Sequence, residues 1–211
     1  MRLTDAISLR SRRRKLALFM ETIRPSPETT VLDVGADELG FGEDSGSGCG
    51  TLNFFEEHYP WPDRITALGL HPGERFRARY PAVTYVQGDA LSLPFADGEF
   101  DVVFSNAVIE HVGGLDQQRR FVEEALRVAR RAFVTTPNRW FPIETHTLVP
   151  FVHWLPRRPR DRLFGALRRE AWEGVELLTR SELVALFPSG VEPRVVESRI
   201  TISVAATRTS K

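Results

Sequence analysis

VTYVQGDALSLPFADGEFDVVFSNAVIEHVGG, residues Val83–Gly114, holds two apolar runs that each stop at small or polar residues. The stops are Gly88-Asp89-Ala90 and Ser105-Asn106-Ala107, and upstream Val31-Leu32-Asp33-Val34 stops in the same way at Gly35. Short apolar runs bounded by turn formers read as strands buried on both faces, which is the pattern of a parallel sheet. Ligands of such sheets lie outside the carboxyl ends of the strands. The polar residues at those three ends are therefore the first candidates for a site.

Working outward, the pattern predicts strands at 30–34, 65–70, 83–87, 101–105 and 132–136. Helices are expected at 52–58, 74–79 and 117–128 between them. Strand and helix alternating at these separations call for right-handed crossovers and an α/β, doubly wound sheet. At the N-terminal side, Leu9, Leu16, Phe19, Met20 and Ile23 recur near helical spacing, with Arg and Lys elsewhere, and Arg24-Pro25-Ser26-Pro27 ends the pattern. That segment reads as a helix packed on the sheet, or else as a basic arm. The tail, 193–196 and 199–206, reads as two strands joined by a tight turn. Residues 138–188 form an insertion rich in aromatic residues and broken by Pro142, Pro150, Pro156 and Pro159.

The 211 residues suffice for one domain with a sizeable core. Lys+Arg 28 balance Asp+Glu 28, so no net field draws in nucleic acid or an anionic membrane. Locally the charge is uneven: basic residues crowd at 10–15 and 157–169, acids at 37–44 and 97–101. Cys49 is the single cysteine, which excludes an internal disulfide and argues against structural zinc. No run approaches the about 20 apolar residues of a membrane span. A secretory signal is not expected either, so a cytoplasmic location is.

Val31–Gly35, Gly88-Asp89-Ala90, and Asp97-Gly98-Glu99-Phe100-Asp101 leading to Glu110-His111 together resemble the class I S-adenosylmethionine-dependent methyltransferases. Within them the resemblance is to the small-molecule, methyltransferase type 11-like group, over residues 31–137. It implies a Rossmann-like, mostly parallel seven-stranded sheet whose edge is closed by an antiparallel C-terminal strand pair. The implied cofactor is S-adenosyl-L-methionine, and the 138–188 insertion becomes a lid over a substrate pocket.

The resemblance also assigns cofactor-binding roles. Asp33 and Gly35 lie at the methionine end, with Asp33 receiving the ammonium group. Asp89 accepts from the adenine amine, Gly88 shapes that turn, and Ala90 offers its backbone N–H. Asn106 lines the methionine chain. Two features depart from the family. After Gly35 the Gly-rich loop is stretched, with a second cluster at Gly46–Gly50. The acid that ends the second strand and holds the ribose is replaced by Gly69, which leaves His71, Glu74 or an acid of 37–44 for the task. Some relatives bind a metal through Glu-x-x-Glu-His. Here the first of those positions is Ala107, and no metal is expected.

The expected reaction moves a methyl group to a small organic acceptor, oxygen being the first choice. His111 is the first candidate base, since imidazole titrates near neutral pH; bracing of the cofactor loop is its plain alternative. His146 is the second, with Glu144 to orient or replace it. Aromatics at 148–155 followed by arginines up to 169 suggest either a solvated basic cover or a peripheral membrane contact through 148–169. Two rival readings remain: a cofactor-binding scaffold or partner subunit without catalysis, and an RNA methyltransferase, which the neutral charge disfavours.

Overall fold

The computed structural model describes residues 3–36, 53–143, 149–166 and 174–209. Helix α1 (Leu3–Ile23) leads into β1 (Val31–Val34), and α2 (Phe54–His58) precedes β2 (Ile65–Gly69). Then come α3 (Glu74–Arg79), β3 (Thr84–Gln87), β4 (Phe100–Asn106), α4 (Leu115–Val128) and β5 (Ala129–Pro137). Helices α5 (Arg157–Ala166) and α6 (Arg180–Ala185) precede the tail strands β6 (Val191–Ser198) and β7 (Thr201–Arg208).

These strands form one seven-stranded sheet in the order β3-β2-β1-β4-β5-β7-β6. The first five are parallel; β7 runs antiparallel to β5, and β6 antiparallel to β7. Chain direction across the sheet reverses between β1 and β4, so the crevice expected of such a fold opens at their carboxyl ends.

The period-2 alternation of each strand sorts side chains to two cores. Leu32 and Val34 of β1, Val103 of β4, and Ala132 and Val134 of β5 join α4 and α6 on one face. Val31, Phe104 and Phe133 point to the other face, where Phe19 of α1 is fully buried. Phe19 meets the rings of Phe55, Phe104 and Phe133 edge-on at 5.3, 5.4 and 5.6 Å. Each such pair adds about 0.5–1.5 kcal/mol beyond burial alone, so this one residue fixes α1 to the sheet. The same alternation has a consequence for chemistry. Asp33 follows Val31, and Asn106 follows Phe104, onto the α1 face.

Several boundaries differ from expectation. Strand β5 begins at Ala129, immediately after α4 and three residues before the expected start, so that Arg130 and Arg131 are strand residues. Arg131 donates to the Ile23 carbonyl at 2.9 Å, spanning from the sheet to the end of α1. Arg199 and Ile200 form the turn between the tail strands instead of opening the second one. The helix expected from Leu52 starts at Phe54 within the described residues. The α1 pattern also needs correcting. Lys15 is not on the solvent side but only 7% exposed, on the inward stripe it shares with Phe19 and Ile23.

Candidate active site

A cleft of about 500 Å³ opens at the carboxyl ends of the central strands. Its walls are the turns after β1 (Gly35, Ala36), after β2 (Leu70, His71), after β3 (Gly88–Leu91) and after β4 (Ala107–Val112). The three turns singled out in the sequence thus converge on one space, within the usual size range of a small-molecule site.

Backbone geometry builds this cleft. The turn after β1 is hung on β2, with Gly35 and Ala36 N–H both donating to the Leu68 carbonyl, at 2.9 and 3.0 Å. Gly35 has φ +109, and a Cβ there would stand 2.2 Å from Cγ2 of Val108 on the opposite turn. Only glycine fits. Ala107 takes φ 58, an uncommon conformation for a residue with a side chain, and its N–H is held by the Thr135 carbonyl at 2.9 Å. Asp89 is exposed; its Oδ1 accepts the Leu91 N–H at 2.8 Å, which pins the turn after β3. Asp89 therefore acts as a turn residue and lines the cleft at once.

The packing around Gly69 shows why no acid stands at that position. A Cβ on Gly69 would meet the Ala36 carbonyl oxygen at 2.2 Å and the Tyr85 hydroxyl at 2.4 Å. The Tyr85 hydroxyl donates to the His71 carbonyl at 2.8 Å and fills the space an acid needs. His71 lines the cleft; Glu74 does not, lying exposed at the start of α3.

A second, charged hollow of about 30 Å³ meets the cleft at Val34 and Gly35. Asp33, Glu56, Asn53, Asn106, Arg12 and Lys15 line it. The Lys15 ammonium donates to Asn106 Oδ1 at 2.8 Å, and the Thr135 hydroxyl donates to the same oxygen at 2.9 Å. Burial pulls the Lys15 pKa down to about 8, against the attraction of Glu110. Burial also raises Asp33 well above the usual carboxylate range, reinforced by the Glu56 carboxyl beside it. Glu56 is raised too, chiefly by its own burial. Its Oε1 is buried with no hydrogen-bond partner among the described residues. Two like charges this close favour a shared proton, so the pair is primed to ionise when a cation arrives.

His111 lies exposed on the cleft wall, at the end of a short 3-10 turn, Ile109–His111. Its neighbour Glu110 is fully buried, accepting from the Thr136 hydroxyl at 3.0 Å, while its carbonyl accepts the Glu176 N–H at 2.8 Å. Glu110 braces the turn from below. His146 and Glu144 lie outside the described residues, as do Cys49 and the Gly46–Gly50 cluster.

Residues 45–132 match the methyltransferase domain family. A stretch of 66 residues, 30% of this chain, is 46% identical to a probable S-adenosylmethionine-dependent methyltransferase of Mycobacterium tuberculosis. That stretch spans 23% of the relative's own length. The demethylmenaquinone methyltransferase of Renibacterium salmoninarum is 30% identical over 130 residues, 60% of this chain and 47% of that one. Over its central part the chain is thus similar to S-adenosylmethionine-dependent methyltransferases. Solved structures share its fold. The 1,6-didemethyltoxoflavin-N1-methyltransferase of Burkholderia thailandensis, with S-adenosylhomocysteine bound, superposes with a TM-score of 0.60 at 17% identity. The match covers 94% of this chain and 78% of that one. The cyclase SpnF reaches the same TM-score, 0.60, at 15% identity, covering 95% of this chain and 82% of its own.

The residues fit S-adenosylmethionine. The cofactor combines a flat, largely apolar adenosine with a zwitterionic amino acid. The cleft offers small side chains and backbone at Gly35, Gly88 and Ala90, while the hollow offers acids and bases. The Glu56 oxygen, which lines the hollow without a partner among the described residues, is a buried acceptor that a ligand's donor would satisfy. Sequence reading missed Lys15, Arg12 and Glu56. For Lys15 a signal existed, its i, i+4, i+8 spacing with Phe19 and Ile23.

Proposed function

We propose that this domain transfers a methyl group from S-adenosylmethionine to a small organic acceptor, with oxygen as the first candidate atom. The observation that carries the reading is the meeting, at Gly35, of a cleft sized for adenosine and a hollow charged for an amino acid. Asp89 and Ala90 would hold the adenine; Asp33 and Glu56 would face the ammonium, and Lys15 and Arg12 the carboxylate. When bound, the cofactor supplies a methyl group already activated by its sulfonium.

The protein then has to align the acceptor and keep water out, and alignment alone is worth several kcal/mol. Asn106, held by Lys15 and Thr135, fixes the floor beside Gly35. An imidazole nitrogen of His111 takes the proton of a hydroxyl acceptor as the new bond forms. Glu110, buried beneath, sets the height of that turn. Glu144 and His146 remain candidates for the same work.

Incubation with radiolabelled donor and fractionated metabolites tests the reading. His111→Ala should lower turnover by on the order of 10²–10³ while cofactor affinity stays within twofold. Equal losses in both would assign His111 to bracing alone. Relatives by name span a demethylmenaquinone methyltransferase and the norajmaline N-methyltransferase of Rauvolfia serpentina, so quinone-like and amine acceptors belong in the screen. One observation favours the second reading, a scaffold without catalysis: no acid can occupy position 69 beside Tyr85. Cofactor binding with no labelled product from any fraction would support it. An RNA substrate is the least supported choice at zero formal charge.

A further inference from the structure

Exposed large hydrophobic side chains are concentrated in one place. Six of the eight among the described residues fall between 140 and 163: Trp140, Ile143, Phe151, Trp154, Leu155 and Leu163. Trp140 is 64% exposed and Phe151 55%. The rings touch one another, with Trp154 centred 5.2 Å from Phe151 and 6.1 Å from Trp140. Monomeric proteins rarely leave such a contiguous apolar patch in water without a use for it.

The patch is held outward by a braced turn. Phe151 adopts φ 61, a costly conformation for an aromatic residue, and its N–H donates to the Pro142 carbonyl at 2.7 Å. Its neighbours face the other way. Val152 packs with Val175 and Leu177 in a small core of their own, and His153 Nε2 bonds the Arg139 carbonyl at 2.9 Å. Trp154 Nε1 donates to the same carbonyl at 2.6 Å. The turn is thus rigid, with Phe151 and Trp154 on its outer side.

Charge identifies the occupant. Helix α5 packs against this turn and carries four arginines against a single acid, Asp161, in its sequence. Arg158 and Arg162 are exposed. Tryptophan and phenylalanine beside arginine are what the headgroup region of a bilayer accommodates. A symmetric dimer through the same patch would bring the α5 arginines of two copies together, which is unfavourable. The patch is also tied to the active site. Val152 packs on Val175 and Leu177, and Glu176 between them holds the turn that carries His111.

We propose that the face formed by Trp140, Phe151, Trp154 and α5 docks on an anionic lipid surface. Docking there brings the cleft to an acceptor dissolved in the bilayer. Naming that acceptor as lipid-soluble rests on the methyltransferase reading; the docking itself does not.

Vesicle co-sedimentation tests it, using dioleoylphosphatidylcholine alone or mixed in equal parts with dioleoylphosphatidylglycerol. The wild type should bind the anionic vesicles, and added salt should weaken the binding. Trp140→Ser/Phe151→Ser and Arg158→Glu/Arg162→Glu should each lower partitioning by on the order of tenfold. Brominated acyl chains should quench tryptophan fluorescence in the wild type and not in Trp140→Ser/Phe151→Ser. Circular dichroism on every variant reports an intact fold, and calorimetry with S-adenosylmethionine tests the methyltransferase reading separately. Absence of vesicle binding by the wild type, or equal binding by both variants, overturns the proposal. So does a concentration-dependent dimer that Trp140→Ser/Phe151→Ser abolishes while vesicles bind nothing.

Discussion

The two depressions that meet at Gly35 are built in opposite ways. The larger cleft is made of backbone and small side chains, from turns that each follow directly on a strand. The smaller hollow is made of charged side chains that α1 and α2 bring to the strand ends, Lys15 reaching Asn106 across 91 positions of sequence. Shape governs the first and charge the second. Substitutions that add volume should therefore damage the cleft, and changes of pH should act on the hollow.

The largest effect expected is at the shared wall. Gly35→Ala combines a forced positive φ with a clash against Val108, and should cost about 2–4 kcal/mol of stability, read by chemical denaturation. Loss of less than about 1 kcal/mol would mean that the turn can move aside. Gly69→Asp sharpens the same point. It should destabilise the fold and not raise cofactor affinity, since Ala36 and Tyr85 occupy the space.

The hollow should respond with the opposite sign. Lys15 has its pKa held at about 8, below its ordinary 10.5, so the unfolded chain binds its proton more tightly. Wild-type stability should rise as pH increases through that window. Lys15→Met should accordingly stabilise the protein by about 1–3 kcal/mol at pH 7, and the gain should shrink toward pH 10.5. A gain that does not change with pH would show that packing, not charge, explains it. Smaller again is Asp89→Ala, which should weaken S-adenosylmethionine binding by about 1–2 kcal/mol, measured by calorimetry. Unchanged affinity would leave Asp89 with its turn alone.

These contrasts explain what was legible in the chain. Apolar runs ending at Gly35, Gly88 and Asn106 give the strands away, because a buried parallel strand must be apolar and a strand-end turn needs glycine or small residues. The cleft follows from topology once those strands are ordered. Lys15 was hidden because a run of basic residues reads as a solvated face, and only its stripe with Phe19 and Ile23 betrays burial. Glu56 gave no signal at all: α2 is five residues long, too short to show a period. The first residues of β5 were hidden because charged Arg130 and Arg131 interrupt the apolar run by which a buried strand is recognised. The missing ribose acid was visible as Gly69, but Tyr85, sixteen residues on, explains it only in three dimensions.

Calorimetric titration with S-adenosylmethionine across pH tests the central claim, that cleft and hollow together form one cofactor site. Asp33 is raised by burial and by the Glu56 carboxyl beside it, and Glu56 by burial, against the lowering pull of its hydrogen bond with Asp33; the ammonium group should therefore drive out a proton, and affinity should climb with pH as the pair ionises. Above about pH 8 the Lys15 ammonium is lost and affinity should fall. Asp33→Asn should flatten the rising limb, leaving Glu56 alone to titrate. Saturable binding with a maximum between those limbs is the predicted result; no binding, or an affinity indifferent to pH in both proteins, would contradict the account.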